Sequence, residues 1–295
     1  MANEFSTFLQ LFMRSLETGS VYALAALGII IVFRTSVVMH FAQGSMGMFS
    51  TYAVAYIFAS AHLPLWASTL VGIAIAIVIG FLVDFLVIRR AVKASPVAKE
   101  IVTLGLIMIF LGVTPMLFGV DPLQLPRFIP SGDVNLAGAT ISYNALLTIA
   151  TGILVTVLLF FVLQKTKFGL AVRTTASNEP TARLMGVPTK VVTLVAWALA
   201  GVLGLLSGVI VAPSTSVTLN LMNSVQVNAL FACVLGGFQT FYGPVLGAYI
   251  IGILSNLLKY YVSGVWGEQI LYLLVLIFLV FRPNGLIGKT FVKKV

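Results

Sequence analysis

This sequence predicts an all-α, polytopic transmembrane helical bundle of about 8–9 spans with broken helices, and three observations predict it. Of the 295 residues 60 % are hydrophobic and 8 % charged, where soluble domains carry about 25 % charge; the mean hydropathy is +1.10. Apolar runs of about 20 residues recur, the length a helix needs to cross the hydrocarbon core. The basic residues collect in polar stretches between those runs. The net charge of +9 therefore orients a membrane protein and is not a nucleic-acid footprint.

The first span covers 15–33 and stops at Arg34. Glu4 and Glu17 flank Arg14 and no small-residue cleavage pattern follows, so this run reads as a retained helix and not a signal peptide. The second, 37–59, is unusual for a membrane segment because it carries His40, Gln43, Ser45, Ser50 and Thr51. The third, 64–88, ends at Arg89, Arg90 and Lys93, with Asp84 placed at the interface. The fourth is 100–120, and a turn-rich loop fills 121–143 with Arg127 as its one basic residue. The fifth is 144–163. After a polar island come the sixth, 191–212, and a turn at 213–223. The seventh, 224–238, is short and broken by Gly236 and Gly237. The eighth, 242–258, and the last, 268–281, lead into Arg282 and a tail with Lys289, Lys293 and Lys294.

With nine crossings the N-terminus lies outside and the C-terminus in the cytoplasm. Fourteen basic residues then fall inside and three (Arg14, Arg127, Lys259) outside, as the positive-inside rule requires. The alternative is that 224–238 dips in and returns. The single cysteine, Cys233, lies in an apolar run and reads as a small buried hydrophobe.

The polar island, 165–190 (KTKFGLAVRTTASNEPTARLMGVPTK), holds Lys165, Lys167, Arg173, Arg183 and Lys190. Within it Asn178 or Ser177 is placed to N-cap a helix, Glu179 suits its first turn, Pro180 is tolerated there, and Gly186 followed by Pro188 ends it. A two-turn helix over 179–185 is too short to stand alone, so it reads as a surface offered to a cytoplasmic partner. The bland alternative is an ordinary interhelical loop.

Two Gly-rich stretches occupy corresponding places in the two halves: FAQGSMGMF at 41–49 and VLGGFQTFYGPVLG at 234–247. Broken backbone at membrane depth is tolerated only where protein buries it or it lines a water-filled cavity, and paired breaks point to a transport path. His40, Gln43, Gly44, Ser45, Asn228, Gly236 and Gly237 are the candidate path residues, since polar groups at depth are costly and face a bundle interior. Against this, Gly204–Gly208 and Gly243–Gly247 have the small-xxx-small spacing of helix packing. Gly288-Lys289-Thr290 resembles the end of a phosphate loop, but Pro283 stands where the motif needs glycine, so no ATP site is expected. No arrangement of catalytic or metal-ligating residues is recognisable. Conduction is then passive or driven by another subunit, and the capped helix favours the second.

Four segments, GSVYALAALGIIIVFRTSVVMHFAQGSMGMFSTY (19–52), KTKFGLAVRTTASNEPTARLMGV (165–187), LGGFQTFYGPVLGAYIIG (235–252) and FRPNGLIG (281–288), resemble the permease subunits of branched-chain amino acid ABC importers of the LivH type. The resemblance implies a single permease domain over 1–295 in a bacterial inner membrane, with a cytoplasmic coupling loop at 164–190. It implies that Asn178, Glu179, Pro180, Ala182, Arg183, Leu184, Met185 and Gly186 seat in a groove of an ATPase. The implied partners are two cytoplasmic ATPase subunits that carry ATP-Mg, a second homologous permease, a periplasmic binding protein, a small amino-acid substrate and membrane lipid, with no cofactor on this chain. One departure is Ser45, where the family often has an acidic residue; relatives import urea, short amides or other amino acids, and these alternatives stay open beside a stand-alone channel.

Overall fold

The structure is a computed structural model that describes residues 2–91, 94–136 and 138–288. Lys93, Lys289, Lys293 and Lys294 of the charge pattern lie outside the described residues. The elements in order are α1 (Ala2–Ser36), α2 (Gln43–Ala61), α3 (Leu65–Leu82) with a π-helical continuation (Val83–Ile88), α4 (Pro96–Phe118), β1 (Asp133–Leu136), β2 (Ala139–Ser142), α5 (Tyr143–Lys165), α6 (Lys167–Ser177), α7 (Glu179–Leu184), α8 (Thr189–Thr215), α9 (Asn223–Gly236), α10 (Tyr242–Tyr261) and α11 (Gly267–Phe281). Among the described residues five helices, Glu4–Ser36, Leu65–Ile88, Val97–Phe118, Tyr143–Lys165 and Thr189–Thr215, have the length and apolarity to cross a membrane.

The core forms around α1, whose residues from Ser20 to Val32 are buried without interruption. A helix apolar on every side is a central post. On it α10 packs antiparallel: the Asn256 amide donates to Thr18 Oγ1 at 3.2 Å near one end, and Arg34 donates to the Gln239 carbonyl near the other. The second post is α8, which meets α2 through paired small residues. A methyl group added at Gly47 would stand 2.6 Å from the Gly204 carbonyl oxygen, so the two backbones touch as in small-residue membrane packing. The same holds for α9 and α10, where a methyl at Gly243 would stand 2.5 Å from the Gly236 oxygen.

Contacts between helix ends define two poles. At one pole the C-terminal end of α1 meets the turn after α9 through Arg34 and Gln239, the end of α3 meets the start of α8 through Arg89 and Lys190, and the segment after α11 meets the end of α9 through Leu286 and Leu235. The opposite pole holds the hairpin of β1 and β2, the pairing of Leu123 with Val217 and the Lys259–Glu268 ion pair. Between Val217 and Gly236 the chain passes from the second pole to the first.

Several expected boundaries move. The helix containing the first span starts at Ala2, well before residue 15. The second span is non-helical from Val37 to Ala42 and helical from Gln43, so the break lies upstream of most of 41–49. Gly236 and Gly237 end α9 and do not interrupt it; Gly237 has φ +90° and closes the turn into α10. The loop at 121–143 contains a two-stranded hairpin, a small exception in a helical bundle. Asp84, expected at the interface, lies at the first pole beside Arg89 and is buried within the protein.

Candidate coupling and gating site

The polar island folds as a pair of short helices. Thr166 caps α6 by accepting from the Gly169 N–H at 3.2 Å. Asn178 ends α6 and caps α7, accepting from the Thr181 N–H at 3.0 Å through Oδ1. Glu179 and Arg183, one turn apart, form an ion pair on α7. Gly186, at φ +80°, lets the chain turn so that the Val187 N–H reaches the Ala182 carbonyl at 3.0 Å. Ala182 is buried against the bundle, while Leu184 is 89 % and Met185 74 % exposed. Two large apolar side chains at the tip of a two-turn helix form a surface that none of the described residues covers.

The inner face of α7 is tied to α8. Arg183 Nε donates to Thr189 Oγ1 at 2.9 Å, at the first residue of α8. One residue on, the Lys190 carbonyl accepts from Arg89 Nη2 at 2.9 Å, and Arg89 Nε donates to Asp84 Oδ2 at 2.8 Å. This ion pair depends on the π-helical turn. Its hydrogen bonds run from residue i+5 to i, as in Arg89 N–H to Asp84 carbonyl at 2.9 Å, which places residues five apart one above the other. A regular α-helix would swing Arg89 away from Asp84.

Further along α8 lie the residues of the first break. The His40 ring is fully buried with its centroid 4.3 Å from that of Trp197, and Trp197 Nε1 donates to Ser36 Oγ at 3.3 Å. Gln43 is fully buried at the first turn of α2, and its Nε2 donates to the Ala200 carbonyl at 2.6 Å. Gly28 of α1 leaves room for that amide: a methyl there would collide with it. Both ring nitrogens of His40 and Oε1 of Gln43 are buried without a hydrogen-bond partner. Orphaned polar atoms in an apolar interior are costly and mark places where function or motion outweighs packing.

The third participant is a residue that sequence reasoning missed. Gln226 of α9 spans the break, with Oε1 accepting from the Gly44 N–H at 2.7 Å and Nε2 donating to the His40 carbonyl at 3.3 Å. It supplies partners that an interrupted helix lacks. Its signal was available: a glutamine in a short apolar segment, two residues before Asn228.

His40, Gln43 and Gly44 therefore form one group on α8 and α9, with half-buried Ser45 beside them. Asn228 stands apart, half a turn along α9, with Nδ2 donating to the Ser224 carbonyl at 2.9 Å and to Tyr22 Oη at 3.3 Å. Gly236 and Gly237 lie ten and eleven residues beyond Gln226, about 15 Å of helix away, in the packing of α9 on α10 and the turn beside Asn284. The candidate coupling residues, 178–186, and the first-break group sit at two levels of the same helix. Thr189 and Ala200 of α8 are eleven residues, or about 16 Å, apart.

A bundle of membrane-length helices, with one helix interrupted against a central post and a short helix pair displayed at one pole, is a multi-pass membrane permease. Residues 11–280 match the family described as "Branched-chain amino acid transport system / permease component", and the chain belongs to that family. It is 26 % identical over 293 residues to the probable branched-chain amino acid transport permease protein LivH of Methanocaldococcus jannaschii, covering 92 % of this chain and 91 % of that protein. It is 24 % identical over 310 residues to the high-affinity branched-chain amino acid transport system permease protein LivH of Escherichia coli K12, over the full length of both. A shorter match, 32 % over 129 residues, covers 41 % of this chain and 38 % of the autoinducer 2 import system permease protein LsrC of Shigella flexneri. Among solved structures, PsaBC from Streptococcus pneumoniae in complex with Fab shares the fold, with a TM-score of 0.50 at 15 % identity over 95 % of each chain.

Proposed function

We propose that this chain is the translocation subunit of an ATP-driven ABC importer for branched-chain or related hydrophobic amino acids, acting as one permease domain with loop 164–190 as its cytoplasmic handle. A periplasmic binding protein delivers the substrate, a second homologous permease completes the path, and two ATPase subunits bind and hydrolyse ATP-Mg. The observation that carries this reading is α7: a capped two-turn helix whose Leu184 and Met185 face outward while buried Ala182 and the Arg183–Thr189 bond hold it to the bundle. Full-length similarity to the two LivH proteins supports the substrate class.

In this reading the pole bearing α6 and α7 is cytoplasmic, as the charge pattern of the sequence asks: among the described residues Arg34, Arg89, Arg90, Lys99, Arg183 and Lys190 stand on that side. Movement of α7 shifts the base of α8 through Arg183–Thr189 and through Lys190–Arg89–Asp84. Because α8 is continuous, the shift reaches Trp197 and Ala200 and so the His40–Gln43 junction. Gln226 couples that junction to α9 and to Asn228. The path opens and closes along His40, Gln43, Gly44, Ser45 and Asn228, and Gly236 and Gly237 provide the packed end of α9 on which the motion turns.

The test is uptake of radiolabelled leucine by cells carrying the complete transporter with Glu179→Ala and Arg183→Ala in this chain. Uptake is expected to fall at least about tenfold while membrane levels of the protein stay unchanged. Full uptake would refute the coupling role of α7. Urea, short amides and other amino acids as competitors decide the substrate, since the LsrC match joins the chain to the permease of a different import system.

A further inference from the structure

Beside α7, between the end of α3, the start of α4 and the base of α8, lies a cavity of about 480 Å³. Arg89, Arg90, Lys99, Arg183 and Lys190 line it, against two carboxylates, Asp84 and Glu179. Both carboxylates are already engaged, by Arg89 and Arg183. Among the described residues, no carboxylate pairs with Arg90, Lys99 or Lys190. Three cations thus face one cavity with no counter-charge, an arrangement whose mutual repulsion an anion relieves.

The walls say what kind of anion. The cavity opens between two helices of membrane length, and the adjoining surface is apolar: Phe85 is 58 %, Val97 65 % and Ile101 61 % exposed. Charge set in a wall of lipid-facing hydrocarbon matches an amphiphile, a phosphate head with acyl chains that lie along α3 and α4. We propose that this cavity binds a phosphate-bearing anion, presented as the headgroup of an anionic phospholipid. The lipid joins α3 and α4 to the α7–α8 corner and so sets how firmly α7 is held. This site is separate from the substrate path and does not depend on the substrate assigned above.

The experiment is native mass spectrometry of the full-length chain, purified in detergent and offered phosphatidylglycerol or phosphatidylcholine. The wild-type protein is expected to retain phosphatidylglycerol in preference to phosphatidylcholine. Combining Arg90→Gln, Lys99→Gln and Lys190→Gln should reduce that retention at least about tenfold, whereas Arg14→Gln with Arg127→Gln at the opposite pole should not. If the triple variant fails to fold, Lys99→Gln alone must lower retention in the same direction. Equal retention by the cavity variants, no preference between the lipids, or an equal loss in the opposite-pole variant would overturn the site. Displacement of phosphatidylglycerol by inorganic phosphate at millimolar concentration would show that the occupant is a free anion and overturn the lipid assignment.

Discussion

Gln43 and Ala200 are joined by a 2.6 Å hydrogen bond from a fully buried side-chain amide to a helix carbonyl. The bond fastens the first turn of α2 to the middle of α8 and fixes where the broken second span resumes as helix. Replacing Gln43 with alanine removes it and leaves a void against Gly28. We predict a loss of about 2 kcal/mol in thermal unfolding in detergent, together with slower uptake. Unchanged stability would mean that the Gln43–Ala200 bond does not hold α2 and that its other contacts, Gly47–Gly204 and Gly44–Gln226 among them, suffice.

His40 separates packing from function. Phenylalanine in its place keeps a ring against Trp197 and removes two buried nitrogens that lack partners. His40→Phe should therefore match or exceed wild-type stability, by up to about 1 kcal/mol, yet reduce uptake. Wild-type uptake in that variant would make His40 a packing residue only.

Asp84 and Arg89 form an ion pair in which the aspartate side chain is 1 % and the arginine 28 % exposed. Removing arginine strands a buried charge. Arg89→Ala should cost about 2 kcal/mol, less than the figure for a fully buried pair because Arg89 reaches solvent. Adding Asp84→Asn should restore much of that loss in a double-mutant cycle. Simple additivity would show that the Asp84 and Arg89 charges do not stabilise each other and would contradict the pair's role in holding Arg89 against the Lys190 carbonyl of α8.

Glycines divide in the same way. Gly47→Ala pushes α2 and α8 apart and should destabilise by about 1–3 kcal/mol. Gly112 has no neighbouring atom within 4 Å of an added methyl, so Gly112→Ala should be neutral or stabilising by up to about 1 kcal/mol. Paired thermal melts of the two variants decide it.

Much of this was legible in the sequence, and the misses have physical causes. The α7 signals read correctly because capping is local: Asn178, Glu179, Pro180 and Gly186 act on their own turn. The break at 37–42 was placed too far along, since the glycines of 41–49 serve helix packing and the interruption depends on Gln226, far away in sequence. Helix α6 was hidden by its mixed polarity, although Thr166 is a legible cap. The π-helical turn left only a five-residue spacing between Asp84 and Arg89. The hairpin at 133–142 was obscured by a loop read for its turn residues, not for the alternation of Val134 and Leu136 in one strand with Ala139 and Ile141 in the other, which pair across it.

The side of the membrane on which α7 lies tests the account most directly. Cys233 is buried, so a Cys233→Ser background with Thr181→Cys gives one reactive thiol on α7. In inside-out vesicles a membrane-impermeant maleimide should label it, with protection when the ATPase subunits are bound; intact cells should show no labelling. Labelling from the outer face alone would contradict both the orientation and the coupling mechanism.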